Sequence, residues 1–294
     1  MRMALCIYGQ PRTMEFCAPS VKTHLLDVYH PDVFVVSDIQ GDRIKELYNP
    51  VAMKIYSQED EWKLIGDRRT KYGVSVPFPE FPQFPIRPPE DLSYLFKGWK
   101  CSELLREYEI LHEKYDVVVV TRFDAKYLKI QRITIPKKDY FYMPKIDACH
   151  SVPDSRFYAS HLWWSSSATA LAILDGYNWS DVCYQELGRW CGEIMLKWFC
   201  DKNGIKVQRT DVTFMLIRDG GGNPRTYLDG RFLPISATHY PEYLSESISA
   251  VPPRSFSPAP SFHYELPKSI VVESTHRKGI AERWMQKQLE KRSK

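Results

Sequence analysis

Residues 117–120 are four consecutive valines, entered from Tyr115-Asp116 and left through Thr121-Arg122-Phe123-Asp124. A β-branched run of this kind suits a strand buried on both faces, because a half-exposed strand would alternate valine with polar residues. Strands buried on both faces belong to parallel sheets covered by helices on either side. The run therefore restricts the chain to a layered α/β architecture. It also ends abruptly: a guanidinium and a carboxylate follow within four residues of the last valine.

Other segments fit the same frame. "MALCIY" (3–8), ended by Gly9, reads as a first buried strand, "DVFVVSD" (32–38) as a second and "VAMKIY" (51–56) as a third. Apolar spacing over "SVKTHLLDVY" (20–29) predicts a helix between the first two. A long amphipathic helix is expected over 92–115, leading into the valine strand. Downstream, "FYMPK" (141–145), "RFYASHLWWSSS" (156–167) and "VTFMLIR" (212–218) have strand composition. "ATALAIL" and "GEIMLKWFCDKN" (192–203) read as helices, the second with Gly204 placed to end it. Strands alternating with helices predict a single Rossmann-like α/β domain, a mostly parallel central sheet with helices on both faces. A length of 294 residues accommodates one such domain.

Two stretches interrupt the pattern. Residues 76–89 carry Pro77, Pro79, Pro82, Pro85, Pro88 and Pro89 with Phe78, Phe81 and Phe84 interleaved. Neither a helix interior nor a central strand tolerates that density, so an extended loop is expected there. It either flanks a binding groove or wraps the surface. Residues 252–267 form a second Pro-rich stretch.

Charge is distributed unevenly. From Arg277 to Lys294 there are seven Lys/Arg against two Glu, while the whole chain carries only +4. The rest is close to neutral, which argues against a nucleic-acid partner, since such binders spread basic charge over the folded body. The tail places apolar or neutral residues at 280, 281, 284, 285, 288 and 289, opposite Arg283, Lys287 and Lys291. That stripe suits peripheral contact with an anionic membrane or a cover over the domain. The first apolar run is too short for a signal peptide or membrane anchor, and no other stretch reaches the ~20 apolar residues of a span. Seven cysteines without CxxC spacing indicate neither a zinc site nor a disulfide framework. Buried thiols in a reducing, cytoplasmic setting are the expectation.

The chemistry concentrates at strand ends. In a doubly wound sheet, ligands bind outside the carboxyl ends of the strands. "YGQPR" puts Gly9, Gln10 and Arg12 at the first end, Ser37-Asp38 closes the second, and Arg122-Phe123-Asp124 closes the valine strand. Arginine can meet a phosphate in a bidentate fork, and a carboxylate can hold ribose hydroxyls, a base edge or a hard metal ion. In an extended chain Arg122 and Asp124 share one face and Phe123 the other. They either serve a ligand or pair with each other or a helix end. No GxGxxG or GxxxxGK[ST] motif occurs, which removes support for dinucleotide and P-loop readings.

The ordered set "LCIYGQPRT", "PDVFVVSD" and "YDVVVVTRFDAKY" resembles small GT-A-type glycosyltransferases of bacteria and large algal viruses. The likeness continues through Tyr108-Glu109, Asp154 before Phe157 and Ala159, Glu193, "GIKV" and "FMLIR", covering residues 4 to about 220. The resemblance implies a GT-A-like domain over 1–276, with a donor half to about 130, an acceptor half beyond it, and the basic segment 277–294 appended. It implies transfer of a sugar from a nucleotide-sugar donor, probably UDP-linked, to a glycan hydroxyl. It carries Arg12, Asp38, Arg122 and Asp124 to the donor site. Mn²⁺ or Mg²⁺ often assists that family, through a D-x-D motif. Here Arg122 replaces the first Asp, leaving Asp124 with His239 or His263 as candidate metal ligands.

Asp154 and Glu193 are the carboxylates to consider as the base that activates the acceptor, with Glu193 expected at a helix N-terminus where the dipole favours negative charge. Trp163 and Trp164 offer sugar-stacking faces or core packing. A non-catalytic sugar- or nucleotide-binding module on the same fold, and a glycoside hydrolase with paired carboxylates, are the rival expectations.

Overall fold

The valine run lies at the centre of the sheet. In the computed structural model, which describes residues 1–66, 88–144, 161–187, 192–219, 224–228 and 231–234, β1 (Met3–Tyr8) pairs in parallel with β4 (Val117–Thr121). Met3 stands opposite Val117 and Ile7 opposite Thr121. The other side of β1 takes β2 (Asp32–Ser37), and β2 takes β3 (Ala52–Ile55), both in parallel. Beyond β4 come β7 (Leu162–Ser165), β6 (Tyr140–Pro144) and β8 (Lys206–Thr210). The order among the described residues is β3-β2-β1-β4-β7-β6-β8. Only β7 runs against its neighbours, so the sheet is mostly parallel, as the valine run requires. A second, antiparallel sheet of order β11-β10-β9-β5 is formed by β5 (Ala125–Ile130), β9 (Val212–Asp219), β10 (Pro224–Leu228) and β11 (Arg231–Pro234).

Side-chain alternation divides the first sheet between two cores. Met3, Leu5, Ile7, Val33, Val35, Val117 and Val119 face one of them, Ala4, Cys6, Tyr8, Phe34, Val36, Val118 and Val120 the other. All four valines are fully buried, each worth about 1.5–3 kcal/mol over an exposed position. The first core is closed by α1 (Met14–Val21) and α3 (Gly41–Tyr48). The second is closed by α5 (Pro88–Leu111), α6 (Ser167–Leu174) and α8 (Gly192–Lys202). Two further helices, α4 (Gln58–Ile65) and α7 (Gly176–Leu187), pack against α5. Ser57 caps α4, its hydroxyl accepting from the Asp60 amide at 3.1 Å.

Several boundaries depart from the sequence reading. The helix expected over 20–29 begins at Met14 and passes through a π turn at Lys22–Leu26 into a short α2 (Asp27–Tyr29). The helix expected over 92–115 spans Pro88–Leu111 instead. Pro88 and Pro89 open it, because first-turn amides have no intrahelical acceptor and proline loses nothing there. The rest of the Phe/Pro loop lies outside the described residues, as does the basic segment 277–294. All described residues belong to the compact unit Met1–Tyr240.

Trp163 and Trp164 are both only 2% exposed, one facing each core, so neither presents a ring to a sugar. Adjacent strand residues point to opposite faces, and here both faces are covered. Cys6, Cys17, Cys101, Cys183 and Cys200 are buried free thiols, as expected. Among the described residues no helix is long and apolar enough to cross a membrane.

Candidate functional site

The chain leaves β1 towards β2 on one side and later returns as β4 on the other. The carboxyl ends of β1 and β4 therefore flank the point where connections diverge, the place at which doubly wound sheets bind ligands. Gly9 occupies that edge with φ 121°, its amide donating to the Val36 carbonyl at 3.2 Å. A Cβ there would meet nothing within 4 Å, so the glycine is required by its backbone conformation and the space beside it is open. Gln10 and Arg12 are exposed on the loop leading to α1.

At the end of β4 the chain turns sharply at Phe123-Asp124 and sets off again as β5, rather than running on extended. The turn is held by the Ile217 amide, which donates to the Asp124 carbonyl at 2.8 Å. Phe123 drops into the core against Tyr48, with ring centroids 5.9 Å apart. Arg122 and Asp124 then meet as a bidentate pair: Nε donates to Oδ1 and Nη2 to Oδ2, both at 2.9 Å. Asp124 is buried, whereas the Arg122 side chain keeps 22% of its surface in solvent. Of the alternatives open to these two side chains, mutual pairing is the one observed.

Tyr94, on α5, joins the pair to a third charged group. Its ring lies 5.7 Å from the Arg122 guanidinium. Burial pushes its phenol up to about 12, opposed by Arg122 and a hydrogen bond with Tyr8, and reinforced by Glu193 and Asp124. Glu193 is thus close enough to act on Tyr94, and it sits in the first turn of α8, as the sequence predicted. The Tyr8 and Tyr94 rings are 4.8 Å apart. Helix α5 can approach this closely because residue 98 is glycine; a Cβ there would stand 3.2 Å from the Tyr8 ring. Beneath the turn, burial and the Asp124 charge push the Cys17 thiol up to about 12.

At the end of β2, Ser37 donates to the Gly9 carbonyl at 3.3 Å, tying the first two strand ends together. Asp38 follows, with its Oδ2 4.0 Å from the Lys97 ammonium. Lys97 lies 2.6 Å from Glu61 on α4, and both side chains are 2% exposed. Gly9, Asp38, Arg122 and Asp124 thus stand at the carboxyl ends of β1, β2 and β4, and Glu193, in the first turn of α8, acts on Tyr94 beside Arg122. Asp154, His239 and His263 lie outside the described residues.

Sequence reasoning missed Tyr8, Glu61, Tyr94 and Lys97. Glu61 reads as an ordinary acid in a helix first turn and Lys97 as a charge on an amphipathic helix. Their burial is created only when α4 and α5 pack over the ends of β1 and β2. The Tyr108-Glu109 pair plays a structural part. Glu109 accepts from the Tyr115 amide at 3.0 Å and from Ser167 at 2.6 Å, fixing the entry to β4.

No group of three His, Cys, Asp or Glu suited to a metal occurs among the described residues. Asp124 already has both oxygens on a guanidinium, so these residues do not by themselves fit Mn²⁺ or Mg²⁺. No protein-family model matches the chain, and no curated protein matches it.

Proposed function

We propose that the protein is a glycosyltransferase that moves a sugar from a nucleotide-sugar donor to a glycan hydroxyl. The observation that carries this reading is the convergence of Asp38, Arg122, Asp124 and Glu193 where connections diverge in a parallel sheet. The family resemblance supplies the reaction. In this reading the nucleoside lies over the β1 and β2 ends, against Asp38, and the diphosphate extends towards Arg122.

Departure of the nucleotide builds negative charge on the diphosphate. Arg122 attracts that charge more strongly as it grows, and so stabilises the transition state more than the ground state. To do so it must exchange Asp124 for phosphate oxygens, a change its partly exposed position allows. Asp124 then acts as a parking place that holds the guanidinium in position before the donor arrives. The anomeric carbon becomes oxocarbenium-like, as in glycoside hydrolysis. Glu193 accepts the proton of the acceptor hydroxyl. These steps use only the protein's own groups.

A non-catalytic binding module is the second reading, favoured by one observation: the bidentate pair occupies both Arg122 and Asp124. Incubation with a panel of UDP- and GDP-sugars, with and without Mn²⁺, separates the two. Slow release of free nucleotide from one donor supports the transferase. Saturable binding with no turnover under any acceptor would replace it with the module.

A further inference from the structure

The Asp38–Lys97–Glu61 cluster has more acceptors than its one cation can satisfy. The Lys97 ammonium donates to Glu61 Oε2 at 2.6 Å and to Ser93 Oγ at 2.9 Å, and faces Asp38 Oδ2 at 4.0 Å. Two of its three protons are placed by these hydrogen bonds, and Asp38 is held only at ion-pair distance. The second oxygen of each carboxylate, Asp38 Oδ1 and Glu61 Oε1, is buried with no hydrogen-bond partner among the described residues. The Asp38 side chain is 9% exposed and that of Glu61 2%. Two orphan acceptors around one ammonium are costly, since nearly all buried polar groups in folded proteins are paired. The cluster also carries one negative charge more than it neutralises.

Asp38 follows the carboxyl end of β2, Glu61 reaches it from α4, and Ile39, the residue after Asp38, is exposed. We infer that Asp38 and Glu61 together form a reading site for a ligand edge presenting two adjacent hydrogen-bond donors, with Lys97 as the positioning cation that holds both carboxylates. The inference rests on the donor-site reading above and adds Glu61 and Lys97 to it. Ionised carboxylates only accept, so an edge of carbonyls is repelled and an edge of N–H or O–H groups is matched. A nucleotide offers such a pair in two places: the cis-diol of its ribose, and the N1–H and 2-amino group of guanine. Uracil presents a single N–H between two carbonyls and does not fit.

Calorimetric titration of the intact chain distinguishes these sources. The probes are GDP, inosine diphosphate (guanine without its 2-amino group), UDP and 3′-deoxy-UDP, each against the unmodified protein, Glu61→Gln and Asp38→Asn. Removing a donor that is read should weaken binding to the unmodified protein about ten- to a hundredfold. A loss between GDP and inosine diphosphate assigns the base edge; a loss between UDP and its 3′-deoxy analogue assigns the diol. In whichever of Glu61→Gln and Asp38→Asn alters the carboxylate that reads the deleted donor, the same ligand change should cost under about threefold, because the amide turns its oxygen to Lys97 and its NH2 to the ligand. The comparison among ligands on unmodified protein needs no variant to fold, and thermal melts show which variants do. Neither truncation weakening binding, or each weakening it equally in all three proteins, would overturn the inference while leaving the donor site standing. Failure of every nucleotide to bind the unmodified protein would remove both.

Discussion

The ends of β2 and β4 each carry a carboxylate beside a basic side chain, and they are completed differently. At β4, Arg122 closes on Asp124 with two parallel hydrogen bonds, so that both oxygens are engaged. At β2, a single lysine is divided between two carboxylates and leaves an oxygen of each unpartnered. Exposure differs as well: Arg122 reaches solvent, whereas Lys97 is sealed at 2%. The first arrangement is a catch that can open when a better anion arrives. The second is a fixed cradle lacking its donors. A nucleotide-sugar would use both, one end for recognition and the other for charge.

The largest expected effect separates the two on stability. Lys97→Met leaves Glu61 and Asp38 buried around an apolar chain, and should destabilise the fold by about 3–5 kcal/mol in denaturant titration. Arg122→Gln should cost clearly less, since water reaches its position. Equal losses would erase the distinction between catch and cradle.

Activity should reverse that order. Arg122→Gln should lower donor turnover by about 10²–10³-fold, the usual cost of one transition-state charge donor. Asp124→Asn should also lower turnover, by releasing Arg122 from its waiting position, and its fall should appear in kcat more than in KM. Unchanged turnover in both variants would end the donor-site assignment.

Buried groups whose charged forms are disfavoured lie near the β4 end and in the second core. Cys17 and Cys200 rise from 9.0 to about 12, and Tyr94 from 10.0 to about 12, in each case chiefly through burial. The unfolded chain therefore releases these protons first. Stability is fully present below pH 9.0 and is lost progressively towards about pH 12, as a pH series of urea melts would show. Tyr94→Phe should lessen the upper part of that loss. A flat profile across the window would contradict the burial of these groups.

The smallest effect concerns the floor beneath β4. The Tyr48 hydroxyl is buried with no hydrogen-bond partner among the described residues, while its ring supports Phe123. Tyr48→Phe removes the orphan and keeps the ring, so stability should stay within about 1 kcal/mol of the original or rise.

Legibility follows burial pattern. The strands at 3–8, 32–37 and 117–121 are readable because a doubly covered strand is apolar throughout, and only such a strand carries four valines. Helices α3 and α4 escape recognition because each is only eight residues long, too short for a helical period to stand out, and α7 escapes it as well. Strand β5 is hidden because a turn at Phe123-Asp124, not an extended run, joins it to β4. Asp38, Arg122 and Asp124 can be named from the sequence since strand ends are where a parallel sheet presents chemistry. Glu61 and Lys97 cannot: their meeting depends on two helices crossing over β2, and nothing local in either helix records it.

A crystal structure of the protein with a non-hydrolysable nucleotide-sugar tests the donor site most directly. The nucleoside is expected against Asp38 and Glu61, and the diphosphate on Arg122 with both hydrogen bonds to Asp124 broken. A nucleotide-sugar bound away from the β1 and β4 ends, with the Arg122–Asp124 pair intact, would contradict it.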